Sequence, residues 1–342
     1  MARYVVTGAD GFIASHLCRM LRENGNKVVA FARYHGSQKL ERLKPEDYSE
    51  LVWGDCTCED TLDHVNGPID GVFHLAAAID VAWSLTLGRA QGGGYYWMQN
   101  VFGTQQVIRF CARKNTRMLL MSSSEVYGTP EITPIRESDS LHPQSPYAKS
   151  KVEAELACIL SAHSGGDCVR VRPFNTYGPG QSQRSVIAKI CQHAANGKGV
   201  LKLGNVNTKR DWVYVEDTCL GLMLAMDLGR RGEVYNLGTG RSVTVAEAAR
   251  IAGIEIEPGH GQDRGSAEVL VLEADASKAR AALGWEAKTD LEMGMNRTIE
   301  SYIAKGCKVA CAKDSVCQSC HTPLRAGVCE CGAFRRVDPP ER

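Results

Sequence analysis

The sequence predicts an α/β fold: a doubly wound parallel sheet, a less regular α/β region after it, and a zinc-ribbon-like tail. Three observations carry this expectation. Short apolar runs of strand length alternate with helical stretches from the first residues to about position 172. The first run, Tyr4 to Thr7, passes into a glycine turn and then a helix, an order that brings free backbone N–H groups to a phosphate. Six of the 14 cysteines crowd between Cys307 and Cys331, at the far end of the chain.

The bulk numbers set the class. The 342 residues suffice for one large or two intimate domains. A net charge of +1 argues against a nucleic-acid or membrane partner. Met1-Ala2-Arg3 leads straight into a strand, which leaves no room for a signal peptide. The longest apolar stretches, such as Leu220 to Met226, are too short to span a bilayer. The expected location is therefore cytoplasmic. Cys18, Cys111, Cys158 and Cys191 sit in apolar contexts and read as small buried hydrophobes, not disulfides.

In chain order, the first strand gives way to Gly8-Ala9-Asp10-Gly11-Phe12-Ile13-Ala14, and a helix follows to about Asn24. Glycines at this turn let the backbone approach a pyrophosphate, so Gly8, Asp10, Gly11, Phe12 and Ile13 are candidate dinucleotide contacts. The second strand, Lys27 to Ala32, ends without the acid that holds the ribose hydroxyls of NAD. Arg33 stands there instead. It suits a 2′-phosphate, which favours NADP over NAD; the alternative is that it stacks on adenine or faces solvent. Asp55, ending the third strand with Cys56 beside it, is placed to accept from the adenine amino group. The fourth strand, Asp70 to Leu75, runs into Leu75-Ala76-Ala77, small enough to pass close to a cofactor. A glycine-rich loop at 88–94 precedes a helix over about 95–114, and a fifth strand covers 118–122. After a helix from Pro146 and a sixth strand over 168–172, the pattern becomes irregular. Further helices are expected at about 215–228, 243–252, 276–283 and 290–304. The division expected is 1–172 mainly dinucleotide-binding, 173–306 mainly substrate-binding, and 312–336 the tail module.

Chemistry concentrates at Tyr147-Ala148-Lys149-Ser150-Lys151. Pro146 suits the first position of a helix, and residues four apart on it share a face. A lysine beside a tyrosine favours the phenolate, so the pair is expected to make a base that works near neutrality.

Five motifs then occur in order: GADGFIA at 8–14, HLAA at 74–77, SSSEVYG at 122–128, SPYAKSK at 145–151 and RPFNTYGPG at 172–180. Together they resemble the extended short-chain dehydrogenase/reductases that act on nucleotide sugars, over about residues 3–305. The resemblance implies a Rossmann domain with an interleaved substrate domain, Tyr147 and Lys151 as the catalytic pair, and Ser123 as the hydroxyl that bonds the reacting group. Ser124-Glu125 is similar to the Thr-Ser-Glu segment of GDP-mannose and GDP-N-acetylglucosamine 4,6-dehydratases. UDP-glucuronate decarboxylases carry a similar Ser-Glu. The implied activity is 4,6-dehydration of a nucleoside-diphosphate sugar, with GDP leading UDP and Glu125 as general base. A 4-epimerase, or a silent sugar-nucleotide sensor, is the alternative. Ser84, Ser124, Asn175, Arg184, Arg210 and Arg264 are the implied substrate contacts. Two helices, about 95–114 and 146–163, match those that pair across a homodimer in this family.

The tail departs from the family. Cys317-Gln318-Ser319-Cys320, then eight residues, then Cys329-Glu330-Cys331 fit a tetrahedral structural zinc site, with His321 as an alternative ligand. A cysteine-rich disordered tail or redox thiols are the competing readings.

Overall fold

A computed structural model describes residues 1–33, 40–79, 81, 84–85, 94–197, 199–259 and 268–311. Residues 88–93 of the glycine-rich loop, Arg264, and the tail with Cys317, Cys320, Cys329 and Cys331 lie outside the described residues.

Seven strands form the large sheet: β1 (Arg3–Thr7), β2 (Lys27–Ala32), β3 (Glu50–Trp53), β4 (Gly71–His74), β5 (Arg117–Met121), β6 (Cys168–Pro173) and β7 (Val234–Leu237). Their order is β7-β6-β5-β4-β1-β2-β3, and every pairing is parallel. The strands are near-continuous apolar runs because helices cover both faces. One apolar layer packs Leu17, Cys18 and Leu21 of α1 (Phe12–Glu23) with Leu222 and Ala225 of a later helix, Val215–Leu228. The other packs Val107, Phe110 and Cys111 of α2 (Gly103–Lys114) with Ala154 and Cys158 of α3 (Pro146–His163). Each such buried aliphatic or aromatic side chain contributes roughly 1.5–3 kcal/mol.

Local signals set the helix ends. Ser145 caps α3, its hydroxyl accepting the Ala148 N–H at 3.1 Å, and Pro146 takes the first position. Asn115, at φ 48°, closes α2 in the left-handed conformation. Strand order reverses between β1 and β4, so the crevice beyond their C-terminal ends is where a ligand belongs.

The smaller domain is a four-stranded sheet built around Lys209–Tyr214, which pairs with Asn175–Tyr177, Ser242–Thr244 and Val271–Leu272. Because β7 returns to the large sheet from this part of the chain, the two sheets interleave. One expected helix is shorter than its periodicity suggests. Thr244 and Glu247 form a reciprocal cap, Thr244 N–H to the Glu247 carboxylate at 2.7 Å and Glu247 N–H to the Thr244 hydroxyl at 3.0 Å. That cap starts the helix at Val245 and frees 242–244 to pair as a strand. The last helix, Leu291–Cys311, outruns its expected end at 304. Among the described residues, no helix is long and apolar enough to cross a membrane.

Candidate active site

The turn after β1 fits a dinucleotide pyrophosphate. Gly8 has φ +67°, and a Cβ there would stand 2.8 Å from the Ala76 Cα, so the β1 and β4 turns touch at a point only glycine allows. Gly11 donates its N–H to the Gly8 carbonyl at 2.7 Å, and α1 then begins at Phe12 with no side-chain cap. Its first N–H groups and dipole end face the turn. Ile13 lies in the same first turn, and Leu75, Ala76 and Ala77 follow β4 as the sequence implies.

The adenine end differs from expectation. The Asp10 carboxylate accepts the backbone N–H groups of Glu41, Arg42 and Leu43 at 2.9, 2.8 and 3.1 Å, so its side chain anchors that loop. Arg33 Nε pairs with Asp55 at 3.0 Å, and its Nη2 donates to Gln99. The other Asp55 oxygen accepts the N–H and the hydroxyl of Thr57, each at 2.8 Å. The two groups assigned to different parts of the cofactor are thus bound to each other. Cys56 is buried, and desolvation, then the Asp55 charge, pushes its thiol up to about 12.

The expected catalytic set does come together. Ser123 begins a short 3₁₀ turn, Ser124–Tyr127, at the end of β5, its hydroxyl accepting the Glu125 N–H at 3.2 Å. Tyr147 hydrogen-bonds Ser123 and feels the Glu125 charge. In the chain without a dinucleotide the Tyr147 phenol is held in its protonated form. Burial pushes the Tyr147 phenol up to about 12, the Ser123 hydrogen bond pulls it down, and Glu125 raises it. Lys151 Nζ is turned to the Met121 carbonyl at 2.9 Å. Burial brings Lys151 down to about 8, against the opposing charges of Glu155 and Cys158.

Two residues at this centre escaped the sequence reading. His74, fully buried, bridges Thr7 Oγ1 at 2.8 Å and Thr104 Oγ1 at 3.1 Å. Burial, then the Lys151 charge, holds it neutral with a pKa near about 3. A lone histidine in a strand gives no sequence signal of this. Asn100 sits in a π-helical segment, Trp97–Phe102, that leads into α2. Its amide exchanges hydrogen bonds with Ala78, 2.7 Å from Ala78 N–H and 3.0 Å to Ala78 O, and donates to Ser150 Oγ at 2.8 Å. An asparagine inside an otherwise good helix was the available hint.

On the substrate side the outcome is mixed. Ser84 is buried and donates to the Val81 carbonyl at 2.7 Å, while Ser124 is buried beside Glu125. Arg184 is exposed. Arg210 is buried, donating to the Lys209 carbonyl at 2.9 Å and lying 3.9 Å from Glu268. Asn175 Oδ1 is buried without a partner among the described residues, and so is Nε1 of Trp212, its register partner on the neighbouring strand. Trp212 was not singled out from the sequence. Arg210, two residues earlier, lies on the same face.

The chain is similar to known nucleotide-sugar enzymes. A dTDP-glucose 4,6-dehydratase from Actinoplanes sp. is 30% identical over 88% of this chain and 98% of its own. The structure of MoeE5 in complex with UDP-glucose and NAD is 32% identical, with TM-score 0.75 over 87% of this chain and 98% of its own. That of DesIV, a dTDP-glucose 4,6-dehydratase from Streptomyces venezuelae with NAD and TYD bound, is 28% identical, with TM-score 0.79 over 88% and 96%. A family model matches residues 4–238, and the chain belongs to the NAD dependent epimerase/dehydratase family.

Proposed function

We propose that this protein is an NAD(P)-dependent nucleotide-sugar 4,6-dehydratase, which forms a 4-keto-6-deoxy sugar nucleotide. The observation that carries this reading is Glu125, a carboxylate two residues beyond Ser123, the cap of the Ser124–Tyr127 turn, whose charge is felt by the Tyr147 phenol. A 4-epimerase has no use for a base at C5. Dehydratase relatives and NAD-bound structures of such enzymes support the same assignment.

The bound dinucleotide supplies a two-electron acceptor, regenerated in each turnover, whose oxidised ring is positively charged. A bound dinucleotide with such a ring would favour the phenolate against the burial that holds Tyr147 protonated. Tyr147, steadied by Ser123, takes the proton of the C4 hydroxyl as C4 becomes a ketone. The ketone acidifies the C5 proton. Glu125 takes that proton, the C5–C6 double bond forms, and the C6 hydroxyl leaves with a proton as water. Reduction at C6 and reprotonation at C5 complete the product.

Asn175, Trp212, Arg210 and Arg184 meet the nucleoside-diphosphate half, with arginines suited to the diphosphate by their forked geometry. The relatives named for dTDP-glucose and UDP-glucose support a pyrimidine base over the GDP that the motif at 122–128 suggested. Arg33, already paired with Asp55, supports NAD over NADP. Leu156 and Leu160, 51% and 60% exposed on α3, support a homodimer that covers this helix. The spacing of Cys317, Cys320, Cys329 and Cys331 supports one structural zinc per chain, tested by metal stoichiometry in reduced protein.

The deciding experiment is Glu125→Gln. With Tyr147 and Lys151 intact, C4 oxidation still occurs, and the reaction stalls at a reduced nicotinamide and a 4-keto sugar. Turnover falls by roughly 10²–10⁴. In deuterated solvent the wild-type product carries deuterium at C5. Turnover without that label, and a Gln variant of undiminished rate, would replace the dehydratase by an epimerase.

A further inference from the structure

One stripe of α3 grips one strand end. Tyr147, Lys151 and Glu155 follow each other at intervals of four and lie on one side of the helix. Tyr147 meets Ser123. Lys151 Nζ meets the Met121 carbonyl at 2.9 Å. Glu155 Oε1 accepts the Ser122 hydroxyl. Three consecutive residues, Met121, Ser122 and Ser123, are thus each held by a side chain of the same helix.

The Glu155 contact is the best anchored of the three. Glu155 is 1% exposed, and its carboxylate is clamped from β6. Arg172 reaches it with Nε to Oε1 at 2.8 Å and Nη2 to Oε2 at 2.7 Å, a forked pair. Arg170 Nη1 adds a bond to Oε2 at 3.2 Å. Arg172 is itself fixed, donating from Nη1 to the Tyr127 hydroxyl at 2.7 Å with its guanidinium over the Tyr127 ring. Tyr127 ends the turn that contains Glu125. The Ser122 N–H is tied to β6 by a 2.8 Å bond to the Val171 carbonyl. A carboxylate with four hydrogen bonds in the interior cannot shift without leaving buried charges unpaired.

We propose that Glu155, acting through Ser122, is a positioning residue: it fixes the register between the strand end bearing Ser123 and Glu125 and the helix bearing Tyr147 and Lys151. The role rests on the proposed reaction at that site. Proton transfer among these groups requires heavy atoms within hydrogen-bond reach, and displacement on the order of 1 Å costs about 100-fold in rate. Glu155 and Ser122 do this without touching substrate.

Glu155→Gln strips two buried arginines of their counter-charge and risks unfolding. Ser122→Ala is the cleaner test, since it cuts the tie and leaves the ion cluster whole. Expected in Ser122→Ala is a fall of about 10-fold in the first-turnover rate of C4 oxidation, read at the reduced nicotinamide band. KM stays within about twofold, and Ser122→Thr, which keeps the hydroxyl, restores most of the rate. A full rate in Ser122→Ala overturns the proposal even if the melting temperature drops, because a merely structural tie would move stability alone. Failure of the dehydratase reading is seen separately, as wild type that places no solvent deuterium at C5, and the C4 oxidation readout survives it. If wild type oxidises no nucleotide sugar, amide exchange over 122–127 decides: lost protection in Ser122→Ala supports the tie, and unchanged protection overturns it.

Discussion

The two walls of the candidate site are finished to different degrees. On the large-sheet wall, Tyr147, Lys151 and Glu155 each have a partner at the end of β5, and His74 and Asn100 are bonded on both sides. On the small-domain wall, Asn175 Oδ1, Trp212 Nε1 and Gln181 Oε1 are buried without a partner among the described residues, while the orphans on the large sheet, Asp167 Oδ1 and Arg170 Nε, belong to no proposed proton-moving group. Buried polar groups are normally satisfied, and leaving one bare costs roughly 1–3 kcal/mol. The contrast separates two tasks. In the proposed reaction, the groups that would move protons are held in place in advance, so that little reorganises. The groups proposed to recognise the nucleotide keep hydrogen-bonding capacity for it.

The most severe way to break this contrast is on the finished wall. Tyr147→Phe removes the proton acceptor while keeping the ring, and C4 oxidation should fall by about 10⁴, the upper end of a general acid–base contribution. Nucleotide-sugar affinity should stay within a few-fold. Single-turnover absorbance and equilibrium binding check the two halves, and a large loss of affinity would mean that Tyr147 recognises more than it reacts.

The buried histidine on the same wall gives a pH signature. His74 is held near about 3 in the folded chain and titrates near 6.5 when unfolded. Between these values the unfolded state binds the extra proton, so stability falls as pH drops through that window. From pH 7 to pH 5 the loss from His74 alone should be about 2 kcal/mol. Denaturant unfolding at both pH values checks it. A His74→Gln variant should lose that part of the acid sensitivity, and an unchanged slope would remove His74 as its cause.

Trp212→Phe probes the unfinished wall. It deletes one donor and should weaken nucleoside-diphosphate binding by about 10-fold, the equivalent of one hydrogen bond. The first-turnover rate at saturation should barely change. Calorimetric titration with UDP and dTDP measures the first, and a rate loss without an affinity loss would erase the distinction between the walls.

The smallest expected effect lies at the adenine end. Asp55→Asn removes the charge that occupies Arg33, so affinity for NADP relative to NAD should rise by about 3- to 10-fold, within the usual worth of a partly exposed ion pair. Competitive titration of both dinucleotides checks it. No change would mean that Arg33 does not reach the 2′ position.

Much of this molecule is readable without coordinates. The parallel strands announce themselves because both of their faces are buried, which forces uninterrupted apolar runs. Gly8 and Gly11 are legible because their backbone positions exclude other residues, and Ser145-Pro146 because capping is a local property. Ser123, Glu125, Tyr147 and Lys151 were found through motifs whose spacing is fixed by a single turn or a single helix. The Val245 helix start was missed although its Thr244–Glu247 cap is just as local, because apolar periodicity was weighed above it.

What tertiary structure alone decided is which charges find each other. Arg33 and Asp55 end different strands and meet because β2 and β3 are neighbours. Glu155 lies on α3 and Arg170 and Arg172 on β6, and their cluster exists only because α3 packs across β6. Burial is likewise a property of the whole, and it pushes the Tyr147 phenol up and keeps His74 neutral. A sequence lists ionisable groups with their reference values, whereas their charge in the folded chain depends on desolvation and on partners supplied from far along the chain.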